Sequence, residues 1–463
     1  MKRQLTLWDA TMIVMGSMIG SGIFIVSSDM MRQLGSGYWV IAVWVIAAVA
    51  TVAAAICYGE LSSMYPKAGG QYAYLAEIFG KMTGFLYGWS LFTVIQTGTI
   101  AAVAVAFGKF TAYIFPGLND AAPIYQNGSF MITWIQVVAI GVIVFLTYIN
   151  TKGIRVGKYV QSFFTVTKIL AVVVLIVGGL FLIKHNFFLE NISFGWSAFQ
   201  NVDNEGWQSI SGSVLMGGLA AAMVGAIFSS VAWENVTFIS GEVKNPQKNM
   251  VRAMVLGTSL VMLLYLMCNY VYLAALSRDE MAFAANDRVA VAAAEKLLGQ
   301  AGTTVMALLV MVSTFGCVNG IVFSGARVFQ TMAKDGLFLK QAIPNNKYDV
   351  PGRSLWLQCG WASLLCLSGQ YGNLLDMVSF VIVIFYMVTV AGVIYQRWKY
   401  PTKERPYRTF LYPLPPVLYL VIGTLFCVLL IIYKPQYSWP GFLLVLLGVP
   451  VYYWVNRARK PNA

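Results

Sequence analysis

Residues 16–24 read Gly16-Ser17-Met18-Ile19-Gly20-Ser21-Gly22-Ile23-Phe24. They lie inside an otherwise apolar run, Leu7 to Met31, that is long enough to cross a bilayer. Glycine and serine disfavour a continuous helix, so the sequence predicts a break at membrane depth, which only protein or a water-filled cavity can accommodate. The freed N–H groups suit a carboxylate and the freed C=O groups suit an ammonium, and an amino acid carries both. A tight helix crossing is the alternative, because Gly16 and Gly20 also fit a small-xxx-small interface.

The composition predicts an all-α integral membrane protein. The chain has 463 residues, of which 59% are hydrophobic and only 11% are charged. Its six cysteines all fall in apolar segments, so we expect no metal site, no cofactor and no disulfide framework. Apolar runs predict twelve transmembrane helices, near 8–31, 38–62, 82–110, 131–150, 158–183, 211–240, 251–276, 302–330, 354–370, 373–397, 411–433 and 438–456.

The basic residues predict an orientation. With the N-terminus inside, the 31 lysines and arginines divide into 23 on the inner side, seven on the outer side and Lys168 within a span. This skew predicts a multi-pass protein of the plasma (cell inner) membrane with both termini cytoplasmic. The net charge of +13 follows from the same distribution, so we expect the lipid bilayer, and no nucleic acid, as its partner.

A second interrupted span lies near the middle of the chain. Residues 228–237 read Phe228-Ser229-Ser230-Val231-Ala232-Trp233-Glu234-Asn235-Val236-Thr237, which places a carboxyl group and several hydroxyls deep in hydrocarbon. Interruptions in spans one and six predict two inverted five-span repeats with the substrate site between them. The repeats would occupy residues 1–183 and 184–400, and residues 401–463 would add two spans.

Three further polar residues are candidates for function. An isolated ammonium in the bilayer costs at least a few kcal/mol, so we expect Lys168 to be partnered, holding the carbonyls near Gly16 and Ser17 rather than snorkelling to an interface. Glu234 faces the same cost, and three roles stay open: binding a cation on the substrate, carrying a proton, or a protonated structural role. Thr99, in the middle of span three, is expected to face the substrate cavity.

Several motifs, in order along nearly the whole chain, resemble the amino acid–polyamine–organocation transporters, and within them the L-type amino acid transporters. The motifs are Gly16–Phe24, Pro66-x-x-Gly69-Gly70-x-Tyr72-x-Tyr74, Trp233 to Pro246 ending Glu242-Val243-Lys244-Asn245-Pro246, Phe315-Gly316-Cys317-Val318-Asn319-Gly320, Val388-Thr389-Val390-Ala391-Gly392, Arg397-Trp398-Lys399-x-Pro401 and Gly448-Val449-Pro450-Val451-Tyr452.

The resemblance implies a LeuT-type fold and secondary transport of amino acids. It implies that the backbone at Ile19, Ser21 and Gly22 binds the substrate carboxylate and amine. It also implies that Phe228 is the gating aromatic that closes over the substrate from outside. Lys168 would occupy the place of a sodium ion in sodium-coupled relatives. Glu234 and Ile382 depart from the L-type pattern, where asparagine is usual, and Glu234 is more typical of arginine and putrescine antiporters.

Together these features predict a sodium-independent carrier of neutral L-amino acids that works by alternating access, as an exchanger or with proton coupling. Phe228, Ser229 and Val231 would line a pocket for small or mid-sized side chains. The alternative is a cationic amino acid or polyamine antiporter that uses Glu234. The sequence shows neither filter loops nor a catalytic dyad, so a channel and an enzyme are both disfavoured. The outer loop between spans three and four lacks the cysteine with which animal members of the family it resembles bind a glycoprotein partner, so we expect no disulfide-linked heavy-chain subunit.

Overall fold

The computed structural model describes residues 5–66, 69–118, 123–127, 130–201, 206–368 and 371–457. Helices make up most of this part of the chain. They are α1 (Leu7–Met18), α2 (Val26–Leu34), α3 (Gly37–Met64), α4 (Gln71–Phe79), α5 (Lys81–Ser90), α6 (Gln96–Ile114), α7 (Trp134–Asn150), α8 (Ile154–Leu182), α9 (Phe188–Ile192), α10 (Gly212–Ser230), α11 (Asn235–Phe238), α12 (Pro246–Ala275), α13 (Arg278–Ala282), α14 (Val289–Lys334), α15 (Gly352–Ser368), α16 (Tyr371–Lys399), α17 (Leu414–Tyr433) and α18 (Pro435–Arg457).

Shorter elements connect these helices. One π-helical turn, Leu91–Ile95, joins α5 to α6, and five 3-10 turns occupy Gly22–Phe24, Pro116–Leu118, Ser240–Glu242, Ala285–Asp287 and Lys340–Ala342. Two antiparallel hairpins pair β1 (Tyr125–Asn127) with β2 (Phe130–Ile132) and β3 (Ala198–Gln200) with β4 (Gln208–Ile210). The described chain is therefore an all-α membrane protein with two small hairpins, as the sequence predicts.

The helices match the predicted spans well. Nine helical segments of the described chain are long and apolar enough to cross a membrane, and α7 is a shorter apolar helix. The other two predicted spans correspond to the broken pair α1 and α2 and to α15, which has 17 residues. The count of twelve spans stays a prediction.

Local sequence signals set the helix ends. Thr6 and Asp9 form a reciprocal capping box that begins α1, and Ser36 accepts a hydrogen bond from the Tyr38 N–H at the start of α3. Pro246 occupies the first turn of α12, where its missing N–H costs nothing. Between these ends the helices are apolar on most sides, as expected for segments in lipid.

Small residues let the first span enter the centre of the bundle. A Cβ atom added to Gly257 of α12 would lie 2.5 Å from Val14 Cγ1 of α1, and one added to Gly225 of α10 would lie 2.8 Å from Val26 Cβ of α2. Close helix approach of this kind is typical of membrane bundles. As a result, the end of α1 is packed against α8, α12 and α14.

Polar contacts close the bundle at both ends. At one end, Arg32 donates to Asp287 at 2.8 Å and to the Ala282 carbonyl at 2.9 Å. At the other end, Arg327 pairs with Glu242 at 2.8 Å, and both side chains are buried. These contacts join elements that flank the two interrupted spans, so they favour a closed arrangement of the centre.

Candidate functional site

The first span is interrupted where the glycine-rich stretch predicts it. Helix α1 ends at Met18, Ile19 is extended with ψ 94°, and helical structure resumes as a 3-10 turn at Gly22–Phe24 before α2. The stretch is fully buried. Because the first N–H groups of a helix have no partner within it, those that begin the 3-10 turn face away from the helix and suit an anion.

Side chains from three other helices bind the carbonyl groups freed by this break. Lys168 of α8 donates to the Gly16 carbonyl and, at 2.8 Å, to the Ile19 carbonyl. Tyr265 Oη of α12 lies 3.0 Å from the Met18 carbonyl oxygen. The break is therefore held by donors from outside its own span.

Helix α14 contributes the remaining donors. Cys317 Sγ donates to the Ser17 carbonyl at 3.1 Å, and Ser313 Oγ lies 3.4 Å from both the Ile19 and the Gly20 carbonyl oxygens. The carbonyl end of the break thus already has protein donors, which leaves its N–H end as the better place for a ligand.

The two interrupted spans contact each other at Gly22. A Cβ atom at this position would lie 2.0 Å from Ser229 Oγ and 2.8 Å from Ser229 Cβ. Ser229 in turn donates to the Gly225 carbonyl at 2.7 Å, within the last turns of α10. Only glycine fits here, because any side chain would collide with the neighbouring span.

The sixth span is interrupted one residue after Ser229. Helix α10 ends at Ser230, Val231 is extended, and Ala232 has a φ of 69°, an uncommon conformation for a residue with a side chain. The short helix α11 then begins at Asn235. The interruption of span six is thus confirmed, and it is a sharp turn rather than a long unwound segment.

Glu234 lies in this turn and is 2% exposed. Its carboxylate accepts a hydrogen bond from the Tyr386 hydroxyl of α16. Aromatic rings surround the pair, because Trp233 lies 4.8 Å from Tyr58 and 5.4 Å from Tyr386 between ring centroids. Tyr386 is therefore the phenolic partner of Glu234, and the backbone N–H groups of Ala232 and Glu234 also lie beside the carboxylate.

A cavity of about 30 Å³ adjoins the second break between α3, α10, α16 and α17. Its lining includes Ser230, Val231, Trp233 and Tyr386. This volume is close to that of one water molecule and too small for an amino acid. The structure therefore has a closed arrangement on this side of the break.

The structure brings together part of the predicted site. Ile19, Gly22, Ser229 and Lys168 lie around the contact between the two breaks, Ser21 is buried in the first break, and Val231 lines the small cavity. Phe228 is buried in the last turn of α10. Thr99 donates to the Ile95 carbonyl of the π-helical turn before α6 at 2.6 Å, and its neighbour Gly98 packs on Val378 of α16.

Sequence reasoning missed four participants: Tyr265, Ser313, Cys317 and Tyr386. The polar and glycine-rich part of span eight was a visible signal for Ser313 and Cys317. Tyr265 and Tyr386 had no such signal, because single tyrosines are common in membrane spans.

Known proteins match nearly the whole length of this chain. Residues 5–454 match the family described as Amino acid permease. The Asc-type amino acid transporter 1 of Mus musculus is 31% identical over 456 residues, which cover 98% of this chain and 81% of the relative. The Large neutral amino acids transporter small subunit 2 of Homo sapiens is 31% identical over 99% of this chain and 82% of its own length. The b(0,+)-type amino acid transporter 1 of Mus musculus is 27% identical over the whole chain and 91% of its own length. This chain belongs to the amino acid permease family.

Proposed function

We propose that this protein is a secondary transporter of neutral L-amino acids that works by alternating access. The observation that carries the proposal is the contact of the two helix breaks at Gly22 and Ser229, beside N–H groups suited to a carboxylate. Two of the relatives are named as Asc-type and large neutral amino acid transporters, which supports the same substrate class.

Substrate recognition would combine backbone and side chains. The N–H groups at Ser21 and Gly22 would bind the substrate carboxylate, and the Ile19 carbonyl, which also accepts from Lys168, would accept from the amine. Phe228 would close over the bound substrate, and Ser229, Val231 and Thr99 would border its side chain. Binding requires a larger space than the 30 Å³ cavity, so the two breaks would separate in the loaded state.

Coupling would be independent of sodium. The buried Lys168 ammonium binds the Gly16 and Ile19 carbonyls, and such carbonyl groups are the ligands that a sodium ion would otherwise use. Exchange of one amino acid for another, or symport with a proton, would then drive transport. Glu234 and Tyr386 are the pair from which a proton-coupled cycle would take its proton.

We also propose a membrane orientation for the chain and a division of it into inverted repeats. The basic residues favour cytoplasmic termini in a plasma or inner cell membrane, although residues 1–4 and 458–463 lie outside the described chain. The two breaks support division into inverted repeats at 1–183 and 184–400, followed by residues 401–463.

The human relative is named as a small subunit, which raises the question of whether this chain also has a second subunit. We propose that this chain works without a disulfide-linked partner, since all six of its cysteines are buried. A non-reducing gel of the protein from its native membrane checks this. A high-mass band that collapses on reduction would contradict the proposal.

Reconstitution tests the substrate and the coupling ion. Proteoliposomes preloaded with unlabelled alanine should take up labelled alanine and leucine equally in sodium and in choline buffer. An excess of arginine or putrescine should compete weakly. Strong stimulation by sodium would exclude the proposed role of Lys168.

The Glu234→Gln variant tests the cationic alternative. Strong competition by arginine in the parent, lost in Glu234→Gln, would establish the antiporter that uses Glu234. The matched control is Glu295→Gln, which removes an exposed carboxylate outside the site and should leave competition unchanged.

A further inference from the structure

An apolar groove of about 420 Å³ lies on the lipid-facing side of the bundle. It is bounded by α3, α12 and α17, and its lining includes Ala48, Val52 and Ile56 on one side and Leu263, Leu266 and Leu418 on the other. Alanine, valine and isoleucine of α3 form the floor, and the walls are mainly leucines of α12 and α17. In a bilayer, such a groove accommodates an extended hydrocarbon chain.

One end of the groove leads to Arg252. Residues 252, 256, 259, 263 and 266 of α12 recur at helical spacing on one face, and Ser259, Leu263 and Leu266 of this set line the groove. Arg252 is exposed and lies about 10 Å from Ser259 along the helix axis. The guanidinium is therefore on the groove face, about one headgroup length beyond the apolar lining.

Arg408 lies in a second segment that packs on the same part of α3. A Cβ atom on Gly59 of α3 would lie 3.0 Å from Val251 Cγ1 and 3.1 Å from Tyr407 Cε1. Val251 and Tyr407 thus meet over Gly59, one turn from Ile56 at the groove, and the next residue in each segment is an exposed arginine, Arg252 or Arg408.

The nearby carboxylate is already engaged. Glu60 accepts from Arg397 at 2.6 Å, from the Thr409 N–H at 2.7 Å, and pairs with Arg405 at 3.2 Å. These bonds fix the segment that carries Arg408. Within the described chain, neither Arg252 nor Arg408 forms a side-chain hydrogen bond or an ion pair, so both exposed guanidinium groups are free to bind an anion from outside the protein.

We propose that this groove binds an anionic phospholipid. One acyl chain would lie between α3, α12 and α17, and the phosphate would bind Arg252 and Arg408, whose planar guanidinium groups match phosphate oxygens. A sterol would fill the groove but offers a hydroxyl in place of the anion that two arginines require. The opposite face of α12 contacts α1 through Gly257 and Tyr265, so the lipid would support the helix that holds the first break.

Native mass spectrometry of the purified full chain tests the proposal with phosphatidylglycerol and phosphatidylcholine of equal chain length. The parent should retain phosphatidylglycerol about tenfold more, and Arg252→Gln/Arg408→Gln should lose this preference. The matched control, Lys340→Gln/Lys347→Gln, removes two exposed cations elsewhere and should keep it. Equal retention of both lipids by the parent, or equal losses in the two double variants, would overturn the proposal.

A second variant tests the groove itself. Ala48→Phe fills the floor without changing any charge and should lower retention of phosphatidylglycerol, whereas Val177→Phe on the exposed face of α8 should not. Retention that survives Ala48→Phe would mean that the arginines bind surface lipid without the groove. Displacement of phosphatidylglycerol by cholesterol with the arginines intact would assign the groove to a sterol and overturn the phospholipid.

Discussion

The two helix breaks differ in the groups that stabilise them. In the first break, the freed carbonyl groups are bound by donors from α8, α12 and α14, among them the Lys168 ammonium. In the second break, the chain turns sharply through Ala232, and the notable feature is a buried acid, Glu234, bound by Tyr386. The first break is a fixed backbone, and the second presents a titratable side chain among aromatic rings.

This difference indicates that the two breaks have separate roles in transport. Backbone held by several donors gives a constant surface that suits the carboxylate and amine common to all amino acids. A side chain at the second break can vary between relatives without disturbing that surface, so it suits selectivity or proton coupling. Substitutions at each break test this difference in role.

Gly22→Val should abolish substrate binding and transport. Its Cβ would fall 2.0 Å from Ser229 Oγ, so the two breaks would be forced apart where the carboxylate is expected. Isothermal titration or a thermal-shift assay with the amino acid measures the loss. Gly360→Val is the matched control, because a Cβ there meets nothing within 4 Å.

A compensating variant sharpens this test. Ser229→Gly removes the side chain that Gly22→Ala would meet first, so the pair Gly22→Ala/Ser229→Gly should recover more binding than Gly22→Ala alone. Substrate affinity of Gly22→Val within threefold of the parent would rule out the backbone site.

Lys168→Met should abolish transport and lower stability. It leaves the Gly16 and Ile19 carbonyls without their ammonium donor, and each buried unsatisfied carbonyl costs about 1–3 kcal/mol. Proteoliposome uptake and thermal unfolding measure the two effects. Lys347→Met, at an exposed lysine outside the bundle centre, should change neither. Normal transport by Lys168→Met would show that the first break needs no cation.

Tyr386→Phe and Glu234→Gln should give similar, moderate changes in the pH profile or in substrate selectivity. The two side chains share one hydrogen bond, so the double variant should be little worse than either single one. Initial uptake rates across a pH series, with alanine and arginine as substrates, provide the double-mutant cycle. Strictly additive effects, or no effect on either property, would leave Glu234 with a structural role only.

Cys317→Ala should have the smallest effect. It removes one donor to the Ser17 carbonyl, a loss of about 1 kcal/mol, and should lower the unfolding temperature and transport rate slightly. Cys317→Ser keeps a donor and should stay near the parent, and Cys427→Ala controls for loss of a buried thiol elsewhere. An equal loss in Cys317→Ser and Cys317→Ala would mean that packing, rather than the hydrogen bond, matters here.

Much of the architecture was predictable because membrane spans obey strict rules. A bilayer requires long apolar helices, so hydropathy alone placed α3, α12, α17 and α18 close to their observed bounds. The two interruptions were equally visible, since glycine and serine pairs, or a carboxyl group, are costly in a lipid-facing helix. Lys168 stood out for the same reason, and its contact with the carbonyls near Gly16 was predicted from the need of a buried ammonium for acceptors.

The sequence by itself therefore determined the class of protein, the places where its helices break and the presence of a buried cation near one of them. Tertiary structure alone decided that Tyr265, Ser313 and Cys317 also donate to the first break, that Gly22 contacts Ser229, and that Tyr386 is the partner of Glu234. These pairs join residues more than 150 positions apart, and no local pattern specifies them. The physical reason is that hydropathy and glycine content act on each helix separately, whereas partners across helices depend on how all the helices pack together.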